Sequence, residues 1–171
     1  MTDIQIRAQE AKQVLKRAVA EALEKKRRVL GDEHPTTLNA IHNMGFLLQT
    51  QGKHGEAEGY SREALEGRRK VLPAGHSSIA ASLTSLGSVL IELGRYVEAE
   101  ALLLESHKEL RPNEAEIPAA YRATRLREVL ELIVQLYDAW HAAETDAGHN
   151  THAASWRAEL QREQETQTTD K

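Results

Sequence analysis

Gly31-Asp32-Glu33-His34-Pro35, with the run that follows it to Glu63-Ala64-Leu65, returns in blurred form forty-two residues further on. His34 aligns with His76, Gly45 with Gly87, Leu48 with Leu90 and Gly52 with Gly94. Glu56-Ala57-Glu58 aligns with Glu98-Ala99-Glu100, and Glu63 with Glu105. Self-similarity at this period marks stacked supersecondary units, each too small to bury its apolar face alone. Such an array presents a surface rather than a catalytic pocket.

The register also runs backwards. Glu21-Ala22-Leu23-Glu24 matches Glu63-Ala64-Leu65-Glu66, and Arg27, Val29 and Leu30 match Arg69, Val71 and Leu72. The chain therefore opens on the second half of a unit. It reads as a piece of a longer array, or as one whose first helix acts as a cap.

Composition narrows the classes. Hydrophobic residues make up 40% and charged residues 28%, enough to bury a core in a water-soluble chain. Aromatics are only 4%, so the core is mostly Leu, Ala, Val and Ile, which suits close helix packing. A net charge of -4 argues against nucleic acid, because phosphate binding needs a basic surface. Without cysteine there is no disulfide scaffold, thiol catalysis or Cys-based zinc site. The start has no basic-then-apolar signal pattern, and no apolar run is long enough to span a membrane. A cytoplasmic protein without membrane partners is expected.

Helical periodicity fills the chain. Ile6, Val14, Leu15, Ala18, Ala22, Leu23 and Val29 form the stripe of a first long helix over 4–29, which Gly31 stops. Pro35 suits the first turn of the next helix, and Asp32 and Glu33 favour its positive end. The first full unit pairs a helix A over 35–51 (Leu38, Ile41, Met44, Gly45, Leu48) with a helix B over 54–71 (Ala57, Tyr60, Ser61, Ala64, Leu65). The second pairs 77–93 (Ile79, Leu83, Leu86, Gly87, Leu90) with 96–110. Arg111-Pro112-Asn113 breaks the chain, and Pro118 precedes a third A-type helix over 119–143. A polar loop over 145–151 leads to a short helix over 152–162, then a polar tail without a stripe. The expected organisation is 1–30 as helix B of a partial repeat or cap, 31–72 and 73–114 as full units, 115–162 as a closing unit, and 163–171 as a disordered tail. Gly59 and Gly67 interrupt helix B at about 1 kcal/mol each relative to Ala, and the sequence offers no reason for them.

At these residues the chain resembles the tetratricopeptide repeat. Gly45, Ala57 and Ala64 stand at spacings of twelve and seven, as do Gly87, Ala99 and Ser106. Small residues there let helices A and B cross closely. Repeats of that family are usually about 34 residues. The longer form here, with the turn Val29-Leu30-Gly31-Asp32-Glu33-His34-Pro35, resembles the kinesin light chain variety. Val71-Leu72-Pro73-Ala74-Gly75-His76 follows that turn less well. The segment from Leu136-Tyr137-Asp138-Ala139-Trp140 to Leu160 is similar to the closing unit of bacterial arrays, some of which sit behind a serine/threonine kinase domain. No kinase signature is present in this chain. The resemblance implies an all-α, right-handed α-α superhelix, the tetratricopeptide solenoid of antiparallel helix pairs.

Residues that could carry chemistry read as structural. His149-x-x-His152 could share a helix face, but the only further ligand nearby is Asp146. His34 and His76 recur with the period, so packing or hydrogen bonding in the turn explains them. Gly75-His76-Ser77-Ser78 lacks the strand-turn-helix context and orienting acid of a nucleophile. Glu56, Glu58, Glu98 and Glu100 sit where acids favour a helix N-terminus, and Lys25-Lys26-Arg27-Arg28 where bases favour a C-terminus. No enzyme activity, cofactor or metal is expected.

The resemblance places helix A on the concave face. The residues then pointing into the groove are Asn39, His42, Phe46, Gln49 and Thr50, with Asn43 at the edge, in the first unit. The second contributes Ala81, Thr84, Ser88, Ile91 and Glu92. With Val134 as the counterpart of Gly45, the third contributes Glu128, Glu131, Gln135 and Asp138. Phe46 is a large apolar side chain where packing does not require one, which makes it either an anchor candidate or a residue covered by the preceding helix. His42-Asn43 stands where the kinesin light chain pattern carries Asn-Asn; Thr84-Ser85 departs from it. Glu128, Glu131 and Asp138 make the far end acidic, so a ligand with basic residues there is expected. The function expected is a protein–protein interaction module, a scaffold or adaptor binding a peptide or partner protein. The alternative is a regulatory or oligomerisation segment of a larger signalling protein, such as a bacterial serine/threonine kinase, with a homodimer through the N-terminal half-unit.

Overall fold

Seven helices run through residues 3–110, 119–145 and 148–169, which a computed structural model describes. They are α1 (Asp3–Leu30), α2 (Pro35–Thr50), α3 (His54–Val71), α4 (Ser77–Glu92), α5 (Tyr96–Leu110), α6 (Ala119–Ala143) and α7 (His149–Thr169). No strand occurs among the described residues. The chain divides into two compact units, Met1–Leu72 and Pro73–Lys171. Residues 111–118, where the sequence places a break, lie outside the description.

In the first unit α2 packs on α3 and also against α1. Leu38, Ile41, Met44 and Leu48 of α2 are buried, as are Ala57, Ser61, Ala64 and Leu65 of α3. A Cβ on Gly45 would lie 2.9 Å from Ser61 Oγ and 3.4 Å from Tyr60 Cβ. That closeness is the physical content of the small-residue pattern. Gly67 now has a reason too, since a Cβ there would lie 2.3 Å from Leu38 Cδ2. Gly59 has open space around it.

The two periodic histidines cap the A helices. His34 Nδ1 accepts from the Thr36 N–H at 3.1 Å, and His76 Nδ1 from the Ser78 N–H at 3.1 Å. Both have extended backbones, φ -68° and -67°, as an N-cap requires. Gly52 and Gly94 turn each A helix into its B helix at φ 74° and 72°, a region costly for other residues.

The stripe expected along α1 is mostly uncovered. Leu23 is buried, but Val14 is 69% exposed, Leu15 51% and Val29 69%. The sequence reading merged two faces of the helix. Leu23 lies on the face that meets α2, whereas Leu15 and Ala22 occupy positions that a unit's own helix A would cover.

In the second unit α4 packs on α5, α5 on α6, and α6 on both α4 and α7. Gly87 allows the α4–α5 approach: a Cβ there would lie 2.8 Å from Leu103 Cγ and Cδ2. Helix α7 starts three residues before the expected 152 and runs to Thr169, well beyond 162. The expected loop is correspondingly shorter, and the expected tail is helical as far as Thr169. No Gly or Pro interrupts 149–169, and Gln161 Nε2 donates to Glu165 Oε1 at 3.3 Å along that stretch.

Candidate interaction faces

On α2, a polar face with one aromatic residue remains open. Asn39, Asn43, Phe46 and Thr50 are all exposed, at spacings of four, three and four that put them on one side of the helix. Phe46 is 59% exposed, so α1 does not cover it. His42 and Gln49 are half-buried beside this stripe. Asn39 Oδ1 accepts a 2.8 Å bond from Arg68 Nη2 of α3, and Arg68 is only 4% exposed. The bond fixes the Asn39 amide with its NH2 group available as a donor.

In the second unit Thr84 of α4 meets Glu128, Glu131, Leu132 and Gln135 of α6 around a shallow concavity of about 280 Å³. The structure therefore brings together four residues assigned to the groove from sequence, and adds Leu132. Thr84 is half committed to packing. Its hydroxyl donates to Ala80 O at 2.9 Å and lies 2.9 Å from Ser106 Oγ. Ser106 donates to Ala80 O as well, at 3.0 Å. Ser88 is half-buried and Glu92 exposed.

One residue assigned to the groove does not lie in it. Ile91 is 5% exposed and belongs to the core. Helix α4 packs on both α5 and α6 and so buries more than one stripe, including Val89 and Ile91. Asp138 is exposed but bonded to Arg157 of α7. The acidic end is also less acidic than its residues suggest. Glu128 pairs with Arg125 at 2.8 Å, and Glu131 lies 4.0 Å from Arg127. Sequence spacing could show the i,i+3 and i,i+4 pairs, but not the Arg157 bond.

The histidines considered as ligands serve packing. His149 is buried and stacks on Trp140 with centroids 4.1 Å apart, and His152 stacks on Tyr137 at 5.1 Å. Asp146 lies outside the described residues. Tyr137 donates its phenol to Glu100 of α5. Burial, followed by that carboxylate, pushes the phenol well above its ordinary value. Tyr96 of α5 stacks on Trp140 at 5.9 Å, so aromatic residues sew α5, α6 and α7 together.

Known proteins place this geometry. The family model for the tetratricopeptide repeat matches residues 7–70 and 39–108. The chain belongs to the tetratricopeptide repeat family. Among solved structures, BtubC (BKLC) from P. vanneervenii is similar with a TM-score of 0.78 and 17% identity, over 93% of this chain and 59% of that one. This chain thus spans about three fifths of the length of that relative. Two structures of a Podosopora anserina putative kinesin light chain with nearly identical TPR-like repeats are also similar, each with a TM-score of 0.59. They are 17% and 19% identical, covering 96% and 94% of this chain and 92% and 87% of theirs. A comparison with curated proteins gives no match. The fold is the all-α helical repeat of the tetratricopeptide family, whose members generally mediate protein–protein interaction. Among the described residues, no helix is long and apolar enough to cross a membrane.

Proposed function

We infer that this chain is a non-catalytic interaction module that holds a peptide segment of a partner protein on the open faces of its A helices. The observation that carries this reading is Phe46, an aromatic side chain left in water between Asn39, Asn43 and Thr50. Exposed aromatics flanked by amide groups suit an extended segment: the ring anchors an apolar residue, and the amides bond to main-chain groups. The pre-set Asn39 amide supports the same mode, because an immobilised donor loses less entropy on binding. Within the second unit, the concavity at Thr84, Glu131 and Gln135 supports a contact of its own for a polar or basic residue.

Panning a random peptide library against the wild type, in parallel with Phe46→Ala, tests the reading. The expected result is a consensus with an apolar anchor, recovered by the wild type and lost by the variant. A consensus recovered equally by both would remove Phe46, and with it the α2 face, from the function.

A further inference from the structure

Translating the repeat by its period maps Ala57, Tyr60, Ser61 and Ala64 of α3 onto Leu15, Ala18, Val19 and Ala22 of α1. On α3 that face is closed: Ala57, Ser61 and Ala64 are buried, and α2 crosses it at Gly45. On α5 the matching Ala99, Leu103 and Ser106 are buried in the same way, beneath α4. On α1 it is largely open: Leu15 is 51% exposed, Ala18 and Ala22 are exposed, and Val19 is half-buried. Val14 and Val29, both 69% exposed, extend the apolar area. The chain thus shows twice what covers this face of a B helix, and leaves a third example bare among the described residues.

We propose that this face of α1 docks one amphipathic α-helix with acidic flanks, supplied by a partner protein and seated as α2 is seated on α3. The small Ala18 and Ala22 let a helix approach closely, provided that it carries larger apolar residues opposite them. The flanks set the charge. Lys12 and Lys25 are exposed beside the stripe, and Lys26 is half-buried. The acid nearest the stripe, Glu21, is bonded to Arg17 at 2.9 Å. A parallel pair of α1 helices stacks each base on itself. Glutamate or aspartate beside an apolar stripe answers both features. This surface is separate from the open face of α2.

The test uses two helix-stabilised synthetic peptides that keep the packing stripe Ile79, Leu83, Leu86, Gly87 and Leu90 of α4. One carries glutamate at the positions flanking the stripe and the other lysine. Binding to the whole chain is measured by calorimetry, beside Leu15→Glu and Ala22→Glu, both at exposed positions and checked for unchanged melting. The expected result is binding of the glutamate peptide that weakens with salt, and at least about tenfold weaker binding of the lysine peptide and of either variant. No binding of the glutamate peptide, or equal binding by Leu15→Glu, overturns the proposal. So does a wild-type dimer in sedimentation that Leu15→Glu dissociates, because the occupant would then be a second copy.

Discussion

The guanidinium of Arg68, nearly sealed inside the first unit, bonds to the amide oxygen of Asn39, which faces water. One residue of the open face is therefore also part of the unit's packing. Asn39→Ala removes an acceptor from a buried cation, a loss worth about 1.5–3 kcal/mol. Asn43→Ala, at an exposed neighbouring position, should stay within about 0.5 kcal/mol. Urea denaturation of the two variants checks the contrast. If Asn39→Ala melts like the wild type, the bond contributes nothing measurable.

Two glycines of the first unit should respond in opposite directions to the same change. Gly59→Ala adds a methyl group in open space and removes a poor helix former, so stability should rise by about 0.5–1 kcal/mol. Gly45→Ala drives a Cβ to 3.3 Å from the Ser61 backbone nitrogen as well as onto its hydroxyl. The helices must separate, and overpacking of this kind costs about 1–3 kcal/mol. Melting temperatures of both variants would show the difference.

These glycines also show how far the sequence could be read. Periodicity reports which residues share a face, so α3, α5 and α6 were legible in their bounds, and Gly45 in its role. It does not report how many neighbours a helix has. Ile91 reads as a groove residue because periodicity does not show that α6 packs on α4 beside α5. Leu15 and Leu23 read as one stripe because both are apolar, although they lie about 80° apart around the helix. Gly67 had no evident cause because its partner, Leu38, lies in another helix. The pairing of Asp138 is not legible in the sequence because Arg157 is nineteen residues away on α7. A missing apolar stripe points to a disordered tail, yet a polar helix without Gly or Pro continues from a packed start at Ala153.

The bond from Tyr137 to Glu100 should give the second unit a dependence on alkaline pH. Tyr137→Phe loses a charge-assisted bond worth about 1.5–3 kcal/mol near neutrality. The folded protein holds the phenolic proton more tightly than the unfolded chain does. The contribution is therefore complete below the ordinary tyrosine value, near pH ~10, and is lost as the pH climbs from there towards the raised folded value. The stability gap between wild type and Tyr137→Phe should be constant from pH 7 to 9, each an approximate bound of ~1 unit, and should narrow in stronger alkali. A gap that does not narrow there would mean that the phenol keeps no extra hold on its proton.

The capping histidines allow a test in which the backbone demand is separated from the side chain. His34 and His76 each accept one N–H of a first helical turn, so His34→Ala and His76→Ala should each lose about 1 kcal/mol. Aspartate has an acceptor of similar reach and adds a negative charge where the α2 dipole is positive. His34→Asp should therefore retain the stability of the wild type or exceed it. If His34→Asp instead falls as far as His34→Ala, the imidazole ring is held for its packing in the turn, and the bond to Thr36 is incidental.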